Sequence, residues 1–204
     1  MKKELGDFTE WYPKTREEWQ NKKNELCHLS PLITLPYIKS GGTVVTRPQS
    51  IMMALCMKAN RLDLLGKNME DAIEIRALES NIEELRNFAI SCTLMTKDEL
   101  KQKYADTFSS KLTNIVSILS IYLSNKSFLV GDLSVADFEL AHVIEMYSWL
   151  SNTTGVPNPF LTHANLMTLV KNIKNLPGVS EYVTSPEERS MKWVQPGYCR
   201  FESQ

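Results

Sequence analysis

Where a strand hands over to an α-helix, the first helical turn presents backbone N–H groups with no partner, and its dipole favours an anion. In this chain that junction reads Val44-Val45-Thr46-Arg47-Pro48-Gln49-Ser50. Pro48 has neither an N–H nor a hydroxyl, so its position can donate nothing to a ligand. The same residue is also a sound first-turn helix residue, because the N–H it lacks would be unpaired there anyway. A second candidate is the pair Trp19 and Lys23, four residues apart on a charged segment of helical composition. That spacing puts an indole and an ammonium on one face, as capture of a carboxylate would use. A lysine stem lying along a surface indole gives the same pattern.

The remaining reactive side chains do not assemble. Cys27, Cys56, Cys92 and Cys199 show no CxxC spacing, and His28, His142 and His163 do not cluster with them. Cys27-His28 is the only adjacent pair, too little for zinc, so no metal is expected. Scattered cysteines fit reduced thiols rather than a disulfide frame. Ser134-Val135-Ala136-Asp137 reads as a capping box, Ser134 at the N-cap and Asp137 at N3, with Leu133 and Phe138 at the hydrophobic-staple positions. It signals the start of a helix and no catalysis.

Composition removes several classes. The 204 residues carry 23 basic and 24 acidic side chains, a net charge of −1. With no basic stripe or aromatic platform, nucleic acid is not an expected partner. The apolar stretches are too interrupted to span a membrane. Met1-Lys2-Lys3-Glu4-Leu5-Gly6-Asp7 has neither a secretory apolar core nor the acid-poor look of a transit peptide. The expectation is an intracellular, cytoplasmic protein, with an organelle-associated assembly left open.

β-signals stop at residue 46. Phe8–Tyr12 reads as a short strand ended by Pro13, Arg16–Leu26 as a helix, and Leu35–Ile38 with Thr43–Thr46 as a hairpin turning at Ser40-Gly41-Gly42. A Met-rich helix runs from Gln49 to about Asn60. From Met69 on, the pattern is helical throughout. Met69–Thr93 presents Ile73, Ala77, Ile82, Leu85 and Ala89, and Lys97–Ser124 presents Leu100, Tyr104, Phe108, Leu112, Ile115, Leu119 and Tyr122. Further helices are expected from Ser134, over Phe160–Asn175, and from Ser185-Pro186-Glu187-Glu188. The architecture is α+β: a small α/β half, residues 1–66, then a larger all-helical half, residues 69–204.

Four segments together carry a resemblance: Trp19-Gln20-Asn21-Lys22-Lys23, Leu35-Pro36-Tyr37-Ile38, Phe128 to Phe138, and Leu176-Pro177-Gly178-Val179. The chain resembles cytosolic glutathione transferases from about Phe8 to Phe201, most nearly those of the Mu class. The resemblance implies an incomplete thioredoxin-like first half, an all-helical second half, usually a dimer, and a cis peptide bond before Pro36. It places Trp19 and Lys23 at the glycyl carboxylate of glutathione, and Leu35 and Pro36 at the turn that presents backbone groups to it. The family's Gln-Ser pair for the γ-glutamyl end aligns with Arg47-Pro48, so both donors are replaced. Gln49-Ser50 would serve only after a two-residue slip, which turns a helix by roughly 200°.

The family's catalytic tyrosine, whose hydroxyl stabilises the thiolate, has no counterpart on this alignment. No tyrosine precedes Tyr12, and Asp7 would stand in that place if Leu5-Gly6-Asp7 echoed the first strand. An incomplete sheet leaves an unpaired edge and an apolar face, and such surfaces seek cover from another chain. Leu32 stands where the Mu-class dimer key is aromatic. Three readings follow. The first is a non-catalytic structural or assembly subunit that needs no cofactor. The second is an active transferase using glutathione. The third is a carrier of apolar ligands in the cleft between the halves, near Tyr104 and Trp193.

Overall fold

The computed structural model of the protein describes residues 9–105, 109–186, 188, 193–194 and 199–200. They fall into two compact units, 1–67 and 68–204. Among the described residues, the first is a two-stranded sheet with its helices, and the second shows helices and turns with one isolated bridge, Val130 with Asp132.

In the first unit, α1 (Arg16–Leu26) opens at Thr15, whose hydroxyl accepts from the Glu18 N–H at 3.1 Å. Glu17 and Glu18 lie in its first turn and Lys23 in its last, each sign placed where the helix dipole favours it. The hairpin pairs β1 (Tyr37–Ser40) with β2 (Thr43–Thr46), setting Tyr37 opposite Thr46 and Ile38 opposite Val45. The two-residue loop works because Gly41 takes φ 58°, a conformation that glycine adopts without strain. Alternation then sorts the side chains. Tyr37 and Val44 pack with Trp19, Leu26, Leu29 and Ile33 on the α1 side. Ile38 and Val45 face Ala54 and Met57 of α2 (Pro48–Lys58) across an open groove of about 400 Å³. A 3₁₀ turn, Leu62–Leu65, closes the unit.

The strand expected over Phe8–Tyr12 is not formed. Residues 9–12 have no regular structure, Pro13 cannot donate to a ladder, and no described strand lies beside them. Phe8 and Leu5-Gly6-Asp7 lie outside the described residues.

The second unit is built on α3 (Met69–Thr93) and α6 (Val135–Thr154). Between them come α4 (Lys97–Lys103) and α5 (Ser109–Leu123). After α6 follow a 3₁₀ turn at Pro159–Thr162, α7 (Ala164–Lys174) and α8 (Val179–Val183). The buried stripe of α3 is Ile75, Leu78, Ile82, Leu85, Ala89 and Cys92, and the Tyr147 hydroxyl of α6 donates to the Leu85 carbonyl at 3.0 Å.

Several expectations are corrected here. Ile73 and Ala77 are exposed, because the α3 stripe runs through 75 and 78 instead. Lys97–Ser124 contains two described helices rather than one continuous helix, with Phe108 outside the described residues. Phe160 sits in the 3₁₀ turn ahead of α7, where Pro159 and the Asn158 side chain, accepting from the Phe160 N–H, set up a separate short turn. A helix not foreseen, α8, starts directly after Gly178. The Ser185 hydroxyl accepts from the Glu188 N–H at 3.2 Å, as a helix opening there requires, while Glu187 lies outside the described residues. Among the described residues, no helix is long and apolar enough to cross a membrane.

Candidate functional site

The residues singled out in the first unit are linked through Tyr37. The Trp19 indole lies 6.1 Å from the Tyr37 ring at 29° to it. Tyr37 pairs with Thr46, and Thr46 leads directly into Arg47-Pro48. Trp19 is half-buried as part of the wall of the small core. Lys23, one helical turn further on, is half-buried, and its ammonium has no carboxylate partner among the described residues. Its neighbour Lys22 behaves differently, pairing with Glu25 at 2.5 Å and lying 5.9 Å over the Trp11 ring.

The Leu35–Pro36 peptide bond is cis. Thr46, a residue the sequence reading passed over, holds the turn. Its hydroxyl donates to the Thr34 carbonyl at 2.8 Å, accepts from the Thr34 N–H at 3.1 Å, and lies 3.3 Å from the Pro36 carbonyl oxygen. One side chain on β2 therefore fixes both flanks of the turn, with Leu35 left 44% exposed. The available signal was the hairpin register, which puts Thr46 opposite Tyr37.

Arg47 is the N-cap of α2 and takes φ 77°, ψ 133°. A residue with a Cβ held there carries strain of order 1–3 kcal/mol. Its side chain makes no capping bond, is exposed, and meets no acceptor among the described residues. Pro48 follows as the first helical residue, and the Ile51 N–H bonds the Arg47 carbonyl at 2.9 Å. The helix start is thus formed, yet its first residue has no donor. Gln49 is half-buried and Ser50 exposed. Leu32 is 80% exposed. Tyr12, 59% exposed, donates to the Glu10 carboxylate at 3.5 Å. Partial burial and that carboxylate raise its pKa, and its proton is directed to Glu10.

In the second unit, Ser134 and Asp137 are structural. The buried Asp137 carboxylate accepts from the Leu129 N–H, the Ser134 N–H and the Ser134 hydroxyl, each at 2.8 Å. Burial raises its pKa while those donors pull the other way. The Tyr104 hydroxyl is committed to the Pro157 carbonyl at 2.5 Å, and burial pushes it up to about 12. Beside it lies a shallow groove of about 220 Å³. Trp193 packs against Trp149, centroids 6.3 Å apart, and against His142 at 5.0 Å. No group of three or more His, Cys, Asp or Glu among the described residues could hold a metal ion.

A family model for the glutathione S-transferase C-terminal domain matches residues 83–186, just over half of the chain. The chain belongs to the glutathione S-transferase family. It is 27% identical over 178 residues to a glutathione S-transferase of Dermatophagoides pteronyssinus, covering 86% of this chain and 74% of that one. It is 24% identical over 172 residues to glutathione S-transferase P 1 of Bufo bufo, covering 84% and 77%. The crystal structure of the glutathione S-transferase Blo t 8 superposes with a TM-score of 0.74 at 23% identity, covering 91% of this chain and 83% of the other, a likeness of fold. The likeness these relatives carry is to the glutathione S-transferase family as a whole, with no class distinguished. The two-stranded sheet with its helices is accordingly an incomplete thioredoxin-like part, and residues 83–186 carry the family's C-terminal domain, mostly helical among the described residues.

Proposed function

We propose that this glutathione S-transferase-like chain is non-catalytic and serves as a structural or assembly subunit of a larger protein complex. The observation that carries the reading is the Arg47-Pro48 junction. A helix start that would hold the γ-glutamyl end of glutathione offers a proline without a donor and an arginine turned to solvent. Supporting it, the Ile38/Val45 face of the sheet opens onto a groove whose α2 wall carries Ala54 and Met57, the latter 60% exposed. Apolar area of this kind gains roughly 25 cal/mol per Å² when covered. The cover we assign is a strand and helix from another protein chain.

One observation favours a second reading, an active transferase that conjugates glutathione to electrophiles. Trp19 and Lys23, which pairs with no carboxylate among the described residues, stand four residues apart on one face of α1. Retention on immobilised glutathione, combined with turnover of an activated aryl chloride, separates the two. The assembly reading expects neither, and expects a native mass in cell extract above that of a homodimer. Saturable retention with turnover would establish the transferase instead.

A further inference from the structure

The seam between α3 and α6 contains two carboxyl groups that water does not reach. The Glu79 side chain is 2% exposed and that of Glu139 5%. Glu79 Oε2 meets Arg76 Nη1 at 2.6 Å, but Glu79 Oε1 has no hydrogen-bond donor. Arg86 Nη2 approaches Glu139 Oε2 only to 3.4 Å, and neither Glu139 oxygen has a hydrogen bond. A buried carboxylate with unpaired oxygens is costly as an anion and far less so as a neutral acid.

We propose that this seam takes up a proton as the chain folds, held by Glu79 and Glu139, and that the helical unit thereby loosens as pH rises. The charged groups that face the pair are Arg76, Glu83 and Arg86 of α3 and, beyond Arg86, His142 and Glu145 of α6 with Glu188. Burial raises the pKa of both glutamates; the neighbouring arginines offset part of that shift, and Glu139 adds to it for Glu79. The sign follows. In the unfolded chain both carboxyls titrate near ~4.3. Their raised folded values make the contribution full below that pH and lost as pH rises through the folded values. His142 works the other way. Burial and Arg86 lower its pKa, so its contribution is full above ~6.5 and lost as pH falls through its folded value.

A ratio between proteins that share His142 removes its effect. The folding equilibrium constants of the full chain, Glu139→Gln and Glu79→Gln are to be measured by urea unfolding from pH 5 to pH 8. The variant-to-wild-type ratio is expected to rise with pH by about fivefold or more, the limit for one proton being tenfold per pH unit. A ratio that is flat or falls with pH overturns the proposal. Should either variant not fold, carboxyl ¹³C NMR of the wild-type chain decides. At least one glutamate midpoint above the ordinary range supports the seam, and all glutamates titrating near ~4.3 or below refute it.

Discussion

Trp19 and Tyr37 lie with ring centroids 6.1 Å apart and planes 29° from parallel, and both line the core closed by Leu26, Ile33 and Val44. The indole that the resemblance gives to carboxylate capture is therefore also a wall of the first unit. Lys23, one turn away, has no such second duty, for its ammonium pairs with no described carboxylate.

The two residues should accordingly separate under mutation. Trp19→Ala removes a half-buried indole and is expected to lower stability by about 2 kcal/mol, below the 3–5 kcal/mol of a fully buried aromatic. Lys23→Ala should stay within about 0.5 kcal/mol of wild type. Chemical denaturation of both variants checks this. A Lys23→Ala loss as large as that of Trp19→Ala would mean that Lys23 is tied into the fold.

What was legible in the sequence was what is decided locally. Arg16–Leu26 follows from a cap and formed as read; the Gly41 hairpin follows from a turn residue and formed with its first strand over Tyr37–Ser40 instead of Leu35–Ile38, because Leu35 and Pro36 belong to the turn that precedes it. The stripe of α3 was not, since Ile73, Ile75, Ala77 and Leu78 offer two phases and α6 chooses between them. Glu79 belongs to the chosen row with Ile75 and Ile82, so a carboxylate on an apolar face was visible once the phase was known. The positive φ of Arg47 had no such signal, because nothing about an arginine announces a left-handed conformation.

The four thiols should divide sharply. Cys27 is exposed, whereas Cys56, Cys92 and Cys199 are buried. Burial pushes the Cys92 thiol up to about 11, so that at pH 8 only about one molecule in a thousand would carry the thiolate. A disulfide reagent at pH 8 is expected to modify one thiol per native chain within minutes and the rest only on unfolding. Rapid reaction of a second thiol would show that the native state opens far more readily than its packing implies.

The Arg47-Pro48 junction offers both a stability test and a binding test. Arg47 sits at φ 77° with no capping bond to compensate. Arg47→Gly, which tolerates that conformation, should stabilise the chain by about 1 kcal/mol despite glycine's greater freedom when unfolded. Pro48→Ser restores an N–H and a hydroxyl at the first helical position, and Arg47→Gln completes the pair that the family resemblance calls for. If the missing donors are what prevents binding, the double variant should be retained on immobilised glutathione at least about tenfold more strongly than wild type, the effect of ~1.4 kcal/mol. Equal and negligible retention of both would place the defect elsewhere in the site. Strong retention of the wild type would remove the ground for calling the junction disabled.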